Sequence, residues 1–198
     1  MKEKLSAIDH SWLLALNHLA NSSKFWQDIF KFFGVYFIYL VPIILIGLWF
    51  WDQKSKKVAL QAVFSGLFSW LVLTKIIAYL VKRPRPFESG GIQELIFRRP
   101  DFSFPSDHAA FLFAVAASLW FSLDKKLAYF MFAVAIIISI ARVGIGAHFP
   151  SDIISGAFLG IVGAWIIWLL ERPLNYFYNL IIAFYNFLIA LARRLKLA

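Results

Sequence analysis

Cysteine is absent from the 198 residues, so this chain can form no disulfide, thiolate metal site or cysteine nucleophile. Acidic residues are scarce: 11 Asp and Glu stand against 20 Lys and Arg, a formal net charge of +9. That balance suits a protein lying against anionic lipid. Polar sequence is scarce as well, since 61% of the residues are hydrophobic, against about 45–50% in an ordinary globular domain. So little polar sequence separates the apolar runs that the chain reads as a membrane protein rather than a large soluble one with buried helices. No repeat, low-complexity tract or flexible linker divides the chain, which reads as one domain over 1–198. The first 24 residues lack the clean apolar core and small-residue cleavage site of a signal peptide.

Five apolar segments approach or reach the roughly 20 residues that a membrane crossing requires: Val35–Trp51, Val58–Val81, the short Ala109–Phe121, Leu127–Gly146 and Ile153–Leu170. The ends are less decided. Asp9, His10, Asn17 and Asn21 make the amino-terminal stretch a poor span, so it reads as interfacial or as a weak extra crossing. After Pro173, Asn175, Asn179, Asn186 and Arg193 share a stripe at helical spacing. That segment is either an amphipathic helix on the membrane surface or a sixth span with its asparagines facing the bundle. The fold class is an all-α polytopic membrane protein, with five or six transmembrane helices in one bundle and interfacial terminal helices.

The short loops Asp52–Lys57, Leu123–Lys126 and Glu171–Pro173 share one side, which their lysines and arginine assign to the cytoplasm. The long loop Lys82–Pro105 and the turn at His148 then lie outside. That loop is basic too, through Lys82, Arg83, Arg85, Arg98 and Arg99, and charge so concentrated suits an anion site.

Four span ends meet on the outer side and bring Arg83, Arg85, Ser106, Asp107, His108, Arg142, His148 and Asp152 to one level. This set suits phosphate. Arginine forks bind phosphate oxygens bidentately, and helix N-termini offer free N–H groups and a positive dipole end. Ser106 is an N-cap residue whose hydroxyl can instead meet a phosphate oxygen. His148 and Asp152 stand four apart across a helix start, so the carboxylate can take one ring nitrogen and leave the other as nucleophile. His108, on another helix, can protonate a leaving oxygen. A cation held by two His and two Asp is the competing chemistry, but the surrounding arginines raise its electrostatic cost, and an anion site without metal is favoured.

The stretches RPRPF, PSDH and RVGIGAHFPSD, within roughly Lys75–Asp152, resemble the three signature motifs of the type 2 phosphatidic acid phosphatase superfamily of membrane lipid phosphatases. The PSDH variant, with Asp107 where the family usually has glycine, resembles the undecaprenyl pyrophosphate phosphatases of the bacitracin-resistance type. The resemblance implies that His148 is the nucleophile and forms a phosphohistidine, that Asp152 orients it, and that His108 is the general acid. It also implies that Arg85, Ser106 and Arg142 hold the phosphoryl oxygens, with no metal or other cofactor. The family lysine, seven residues before Arg85, falls on Ala78 here. Lys75 from within the span, or Lys82 from the loop, is the candidate replacement, with Arg83 a further cation. Asp107 either trims the arginines' charge or binds a substrate group. In the third motif Ala141 replaces a common serine.

The activity expected is metal-independent hydrolysis of a lipid phosphate or pyrophosphate, undecaprenyl pyrophosphate first, at the outer face of the plasma membrane, with the bilayer and the lipid as partners and no nucleic acid. Phosphatidylglycerophosphate or phosphatidic acid is the alternative substrate, and a non-catalytic lipid-phosphate binder or transporter the rival of another class.

Overall fold

The computed structural model describes residues 2–89, 91–95, 101–122 and 125–195. Arg98 and Arg99 of the long loop, Leu123 and Asp124 of a short one, and the last three residues lie outside them. Among the described residues the secondary structure is entirely helical.

The first helix, α1 (Lys2–Asn21), does not qualify as a membrane span. Its buried residues Asp9, Leu13, Asn17 and Ala20 form one face, and Leu13 packs with Val143 and Phe149. Ser23 caps α2 (Lys24–Lys31), its hydroxyl accepting from Trp26 N–H at 3.4 Å. The chain continues through a π turn (Phe32–Tyr36) and a 3₁₀ turn (Phe37–Tyr39) into α3 (Leu40–Trp51). Pro42 lies in the first turn of α3 and cannot donate to Ile38, so the irregular stretch sits where the helical ladder is already broken. Asp52 then caps α4 (Gln53–Phe68), accepting from Ser55 N–H at 2.7 Å. A π turn (Ser69–Thr74) joins α4 to α5 (Lys75–Val81), and its extra residue re-aims everything that follows, Lys75 first.

The remaining helices are α6 (Asp107–Ser122), α7 (Lys125–Gly144), α8 (Pro150–Leu169) and α9 (Glu171–Arg194). Among the described residues five helical stretches are long and apolar enough to cross a membrane: Lys24–Trp51, Gln53–Glu88, Lys125–Gly144, Pro150–Leu169 and Glu171–Arg194. The 16 residues of α6 cover only about 24 Å at 1.5 Å each, short of the roughly 30 Å hydrocarbon core. This helix survives because it is central. Leu112, Val115, Ala116 and Leu119 fill the main core together with Val41, Leu45, Val58, Ala62, Met131 and Ile138.

The pairing of α6 with α8 positions the site. A Cβ added at Gly156 would strike the Ser106 carbonyl, and one at Gly160 the Ala110 carbonyl. Small residues let two backbones touch within a membrane, where there is little hydrophobic force to join helices. The two helix starts are thereby held side by side, and Ser106 N–H donates to the Asp152 carbonyl at 3.0 Å.

The carboxy-terminal helix departs from one of the two sequence expectations, a span with its asparagines facing the bundle. Its length and composition allow a crossing. Its inward face, however, is Tyr178 and Ile182, with Tyr178 against Phe64 and Tyr185 against Trp49. Asn179 and Asn186 are exposed rather than turned to the bundle. Aromatic rings supply more contact area than amides, and they decide which face packs.

Candidate active site

His148 sits in the turn between α7 and α8, which reverses on Gly146 at φ +79°. The imidazole is 2% exposed. Its Nδ1 lies 2.9 Å from the Ser103 carbonyl oxygen. A carbonyl can only accept, so Nδ1 carries the proton and Nε2 keeps its lone pair. Burial pushes the imidazole below its ordinary value; the Asp152 carboxylate pulls back upward and Arg142 pushes down again.

Asp152 is fully buried on the first turn of α8. One oxygen accepts from Phe149 N–H at 2.8 Å and from the Ser103 hydroxyl. The other accepts from Arg83 Nη1 at 2.7 Å. The carboxylate stands 3.8 Å from His148 Nδ1, too far for a hydrogen bond but close enough to stabilise a positive ring. Sequence spacing suggests a direct His–Asp bond; here the Ser103 carbonyl takes that position, and Ser103 touches both residues.

Arg85 is 5% exposed. Its Nη1 donates to the Ala147 carbonyl at 2.8 Å, and its Nε donates to Asp101 Oδ1 at 2.8 Å. Arg142, 3% exposed, donates from Nη1 to the Gly34 carbonyl at 3.3 Å. Gly34 lies in the π turn ahead of α3, so that irregularity reaches the site. Ser106 is fully buried, and its hydroxyl accepts from Ala109 N–H at 3.4 Å as an N-cap.

Arg83 is engaged by carboxylates: Nη2 donates to Asp9 at 2.7 Å, Nη1 donates to Asp152, and the guanidinium stacks on Phe149 at 3.9 Å. Among the described residues Asp107 pairs with a lysine and not with an arginine. It accepts from Thr74 Oγ1 at 2.7 Å and from Lys75 Nζ at 2.6 Å. Two departures from the family pattern, the moved lysine and the aspartate in place of glycine, thus meet each other. Lys82 is exposed, caps α5 at φ 52°, and lies over the Tyr79 ring at 4.9 Å. His108 and Asp107 line a cavity of about 260 Å³ whose other walls are Ile38, Tyr39, Pro42, Trp70 and Phe111. A larger groove of about 820 Å³ runs between α1 and helices α7 and α8.

Both aspartates expected near a metal are thus taken by protein donors, Asp152 by Arg83, Ser103 and Phe149, and Asp107 by Lys75 and Thr74. Sequence reasoning missed Ser103, Asp9, Asp101 and Thr74. Of these only Asp9 carried a signal, as an acid in an otherwise apolar helical stretch.

Residues 59–176 match the PAP2 superfamily. The chain is 26% identical over 176 residues to the undecaprenyl-diphosphatase BcrC of Bacillus subtilis, covering 88% of this chain and 90% of that protein. It is 30% identical over 187 residues to the lipid A 4'-phosphatase of Bacteroides thetaiotaomicron, covering 88% and 82%. Its fold is similar to the crystal structure of the transmembrane PAP2-type phosphatidylglycerolphosphate phosphatase from Bacillus subtilis, with a TM-score of 0.62 at 22% identity over 86% of this chain and 87% of that one. The chain belongs to the PAP2 superfamily, as a multi-pass membrane phosphoric ester hydrolase.

Proposed function

We propose that the protein dephosphorylates a lipid phosphate or pyrophosphate through a phosphohistidine on His148, with undecaprenyl pyrophosphate the first substrate and the site facing outside the plasma membrane. The observation that carries the reading is the bond from His148 Nδ1–H to the Ser103 carbonyl, which leaves Nε2 unprotonated in a buried ring. In the first step Nε2 attacks the terminal phosphorus. The bond to the leaving oxygen breaks, and His108 gives that oxygen its proton. In the second step water attacks phosphorus, the P–N bond breaks, His108 takes the water's proton, and phosphate leaves. Arg85, Arg142 and the N–H groups near Ser106 neutralise the equatorial oxygens, the largest contribution expected in phosphoryl transfer. Asp152 balances the charge that appears on the ring. Metal-independence is supported by the protein donors that already occupy both aspartates.

The general acid must adjoin the leaving group, so the lipid leaves on the side of His108. The apolar cavity lined by His108, Trp70 and Phe111 suits the first part of its chain better than the larger groove, whose polar rim of Asp9, Arg83 and Ser151 is already internally paired. Undecaprenyl pyrophosphate is preferred because of PSDH, the similarity to BcrC over most of both chains, and the basic short loops, which support an outward-facing site.

The test is phosphate release by detergent-purified protein from a panel of undecaprenyl pyrophosphate, phosphatidylglycerophosphate and phosphatidic acid, with and without exhaustive chelation. Fastest turnover of the isoprenoid diphosphate, unaffected by chelator, is expected. Preference for a glycerolipid overturns the substrate assignment, loss of activity on chelation with rescue by a divalent ion overturns the mechanism, and no release from any lipid favours a binder.

A further inference from the structure

The buried polar residues of α1 belong to no motif, yet one of them, Asp9, reaches the site. Asp9, Leu13, Asn17 and Ala20 recur at helical spacing and are buried. Asn17 Nδ2 donates to the Gln93 carbonyl at 2.8 Å and to the Gly144 carbonyl at 2.9 Å, and its Oδ1 accepts from Gln93 N–H at 3.0 Å. It pins the long loop to the end of α7. Asp9, 8% exposed, reaches the other side. One oxygen accepts from Ser151 N–H at 2.8 Å. The other accepts from Ser151 Oγ at 2.6 Å and from Arg83 Nη2 at 2.7 Å. Arg83 Nη1 in turn donates to Ser151 Oγ at 2.6 Å and to Asp152 at 2.7 Å. The donor count closes: the Ser151 hydroxyl accepts from arginine and gives its one proton to Asp9.

We propose that Asp9 is a positioning residue for the reaction, acting through Arg83 on Asp152. The proposal rests on the phosphohistidine reading above. Arg83 is held by two carboxylates, one on each terminal nitrogen, and lies over the Phe149 ring at 3.9 Å. Remove one carboxylate, and the guanidinium is drawn into a two-pronged pair with the other, the geometry arginine prefers. Asp152 is then pulled from its setting beside His148, and its charge is spent on Arg83. With Asp9 present, one cation stands between two anions, and net negative charge remains to face the imidazolium as phosphorus is attacked. Asp9 touches no phosphoryl-binding residue other than through this chain, so its loss should lower kcat and spare KM.

The experiment measures kcat and KM for the best lipid substrate with wild type, Asp9→Asn, Asp152→Asn, the double variant, Asn17→Ala and His148→Ala, each taken from the monodisperse fraction in detergent. Asp9→Asn is expected to lose roughly 10- to 100-fold in kcat, the scale of a mispositioned catalytic group, with KM within about twofold. In the Asp152→Asn background the same change should cost almost nothing, because the two act in series. Asn17→Ala, which anchors the same helix without touching Arg83, should lower thermal stability while the folded fraction keeps its kcat. Wild-type kcat in Asp9→Asn overturns the proposal. So does an equal fold-loss in both backgrounds, or a KM effect without a kcat effect. Full turnover by His148→Ala would instead remove the phosphohistidine reading, so the two failures are told apart.

Discussion

Replacing Asp152 with asparagine tests the charge that the site places behind the proposed nucleophile, His148. The carboxylate stands 3.8 Å from His148 Nδ1, and attack by Nε2 makes the ring cationic. Two unit charges at that distance attract by about 4 kcal/mol at an effective dielectric of about 20, or about 10³-fold in rate. Asparagine keeps the shape and loses that term. It also meets a donor wherever its amide turns, since one oxygen faces Arg83 and the other faces Phe149 N–H and the Ser103 hydroxyl. An unmatched buried donor costs about 1–3 kcal/mol of stability, so rates must be counted per folded molecule. The assay is phosphate release after size-exclusion selection of the monodisperse fraction. A kcat about 10³-fold below wild type, with residual turnover above the His148→Ala background, is expected. Activity within tenfold of wild type would refute the reasoning, because the carboxylate would then be holding structure and not balancing charge.

Three further outcomes follow from the same geometry. Burial depresses the His148 imidazole, and the nucleophile must be neutral. Activity should therefore hold down through the ordinary imidazole value of about 6.5 and fall only as pH drops through the lower value, along with the stability linked to that buried neutral ring; an acid limb of kcat/KM at or above 6.5 contradicts this. Lys75→Met should cost much more activity than Lys82→Met, since Lys75 is paired with Asp107 next to His108 whereas Lys82 lies over Tyr79 at the surface; equal losses, or none, contradict it. In intact cells a membrane-impermeant thiol reagent should label Glu88→Cys and spare Lys54→Cys until lysis. Both positions are exposed in the fold, unlike neighbouring Ser55 at 5%, where burial alone would block labelling; the reverse pattern puts the site in the cytoplasm.

Much of this molecule is legible in the sequence because its information is local. Long apolar runs mark helices, and the alternation of span ends brings RPRPF, PSDH and RVGIGAHFPSD to one surface. What was not legible is relational. Ser103, which touches both His148 and Asp152, stands in a loop with no periodicity. Asp9 lies 74 positions from Arg83, and no local rule pairs them. The meeting of Lys75 with Asp107 depends on the π turn at Ser69–Thr74, which hydrophobic patterning does not reveal. The inward face of α9 is set by ring packing at Tyr178 and Tyr185, which asparagine spacing does not reveal.

The central claim is that phosphorus becomes bonded to His148, and rapid-quench trapping tests it most directly. Protein mixed with a lipid phosphate or diphosphate carrying ³²P in its terminal group, and quenched in alkali, should hold label that survives base and is released by acid, as a phosphoramidate is. The label should map to the peptide containing His148, be absent in His148→Ala, and form more slowly in Asp152→Asn. Label retained in His148→Ala, or steady phosphate release by that variant, would contradict the account.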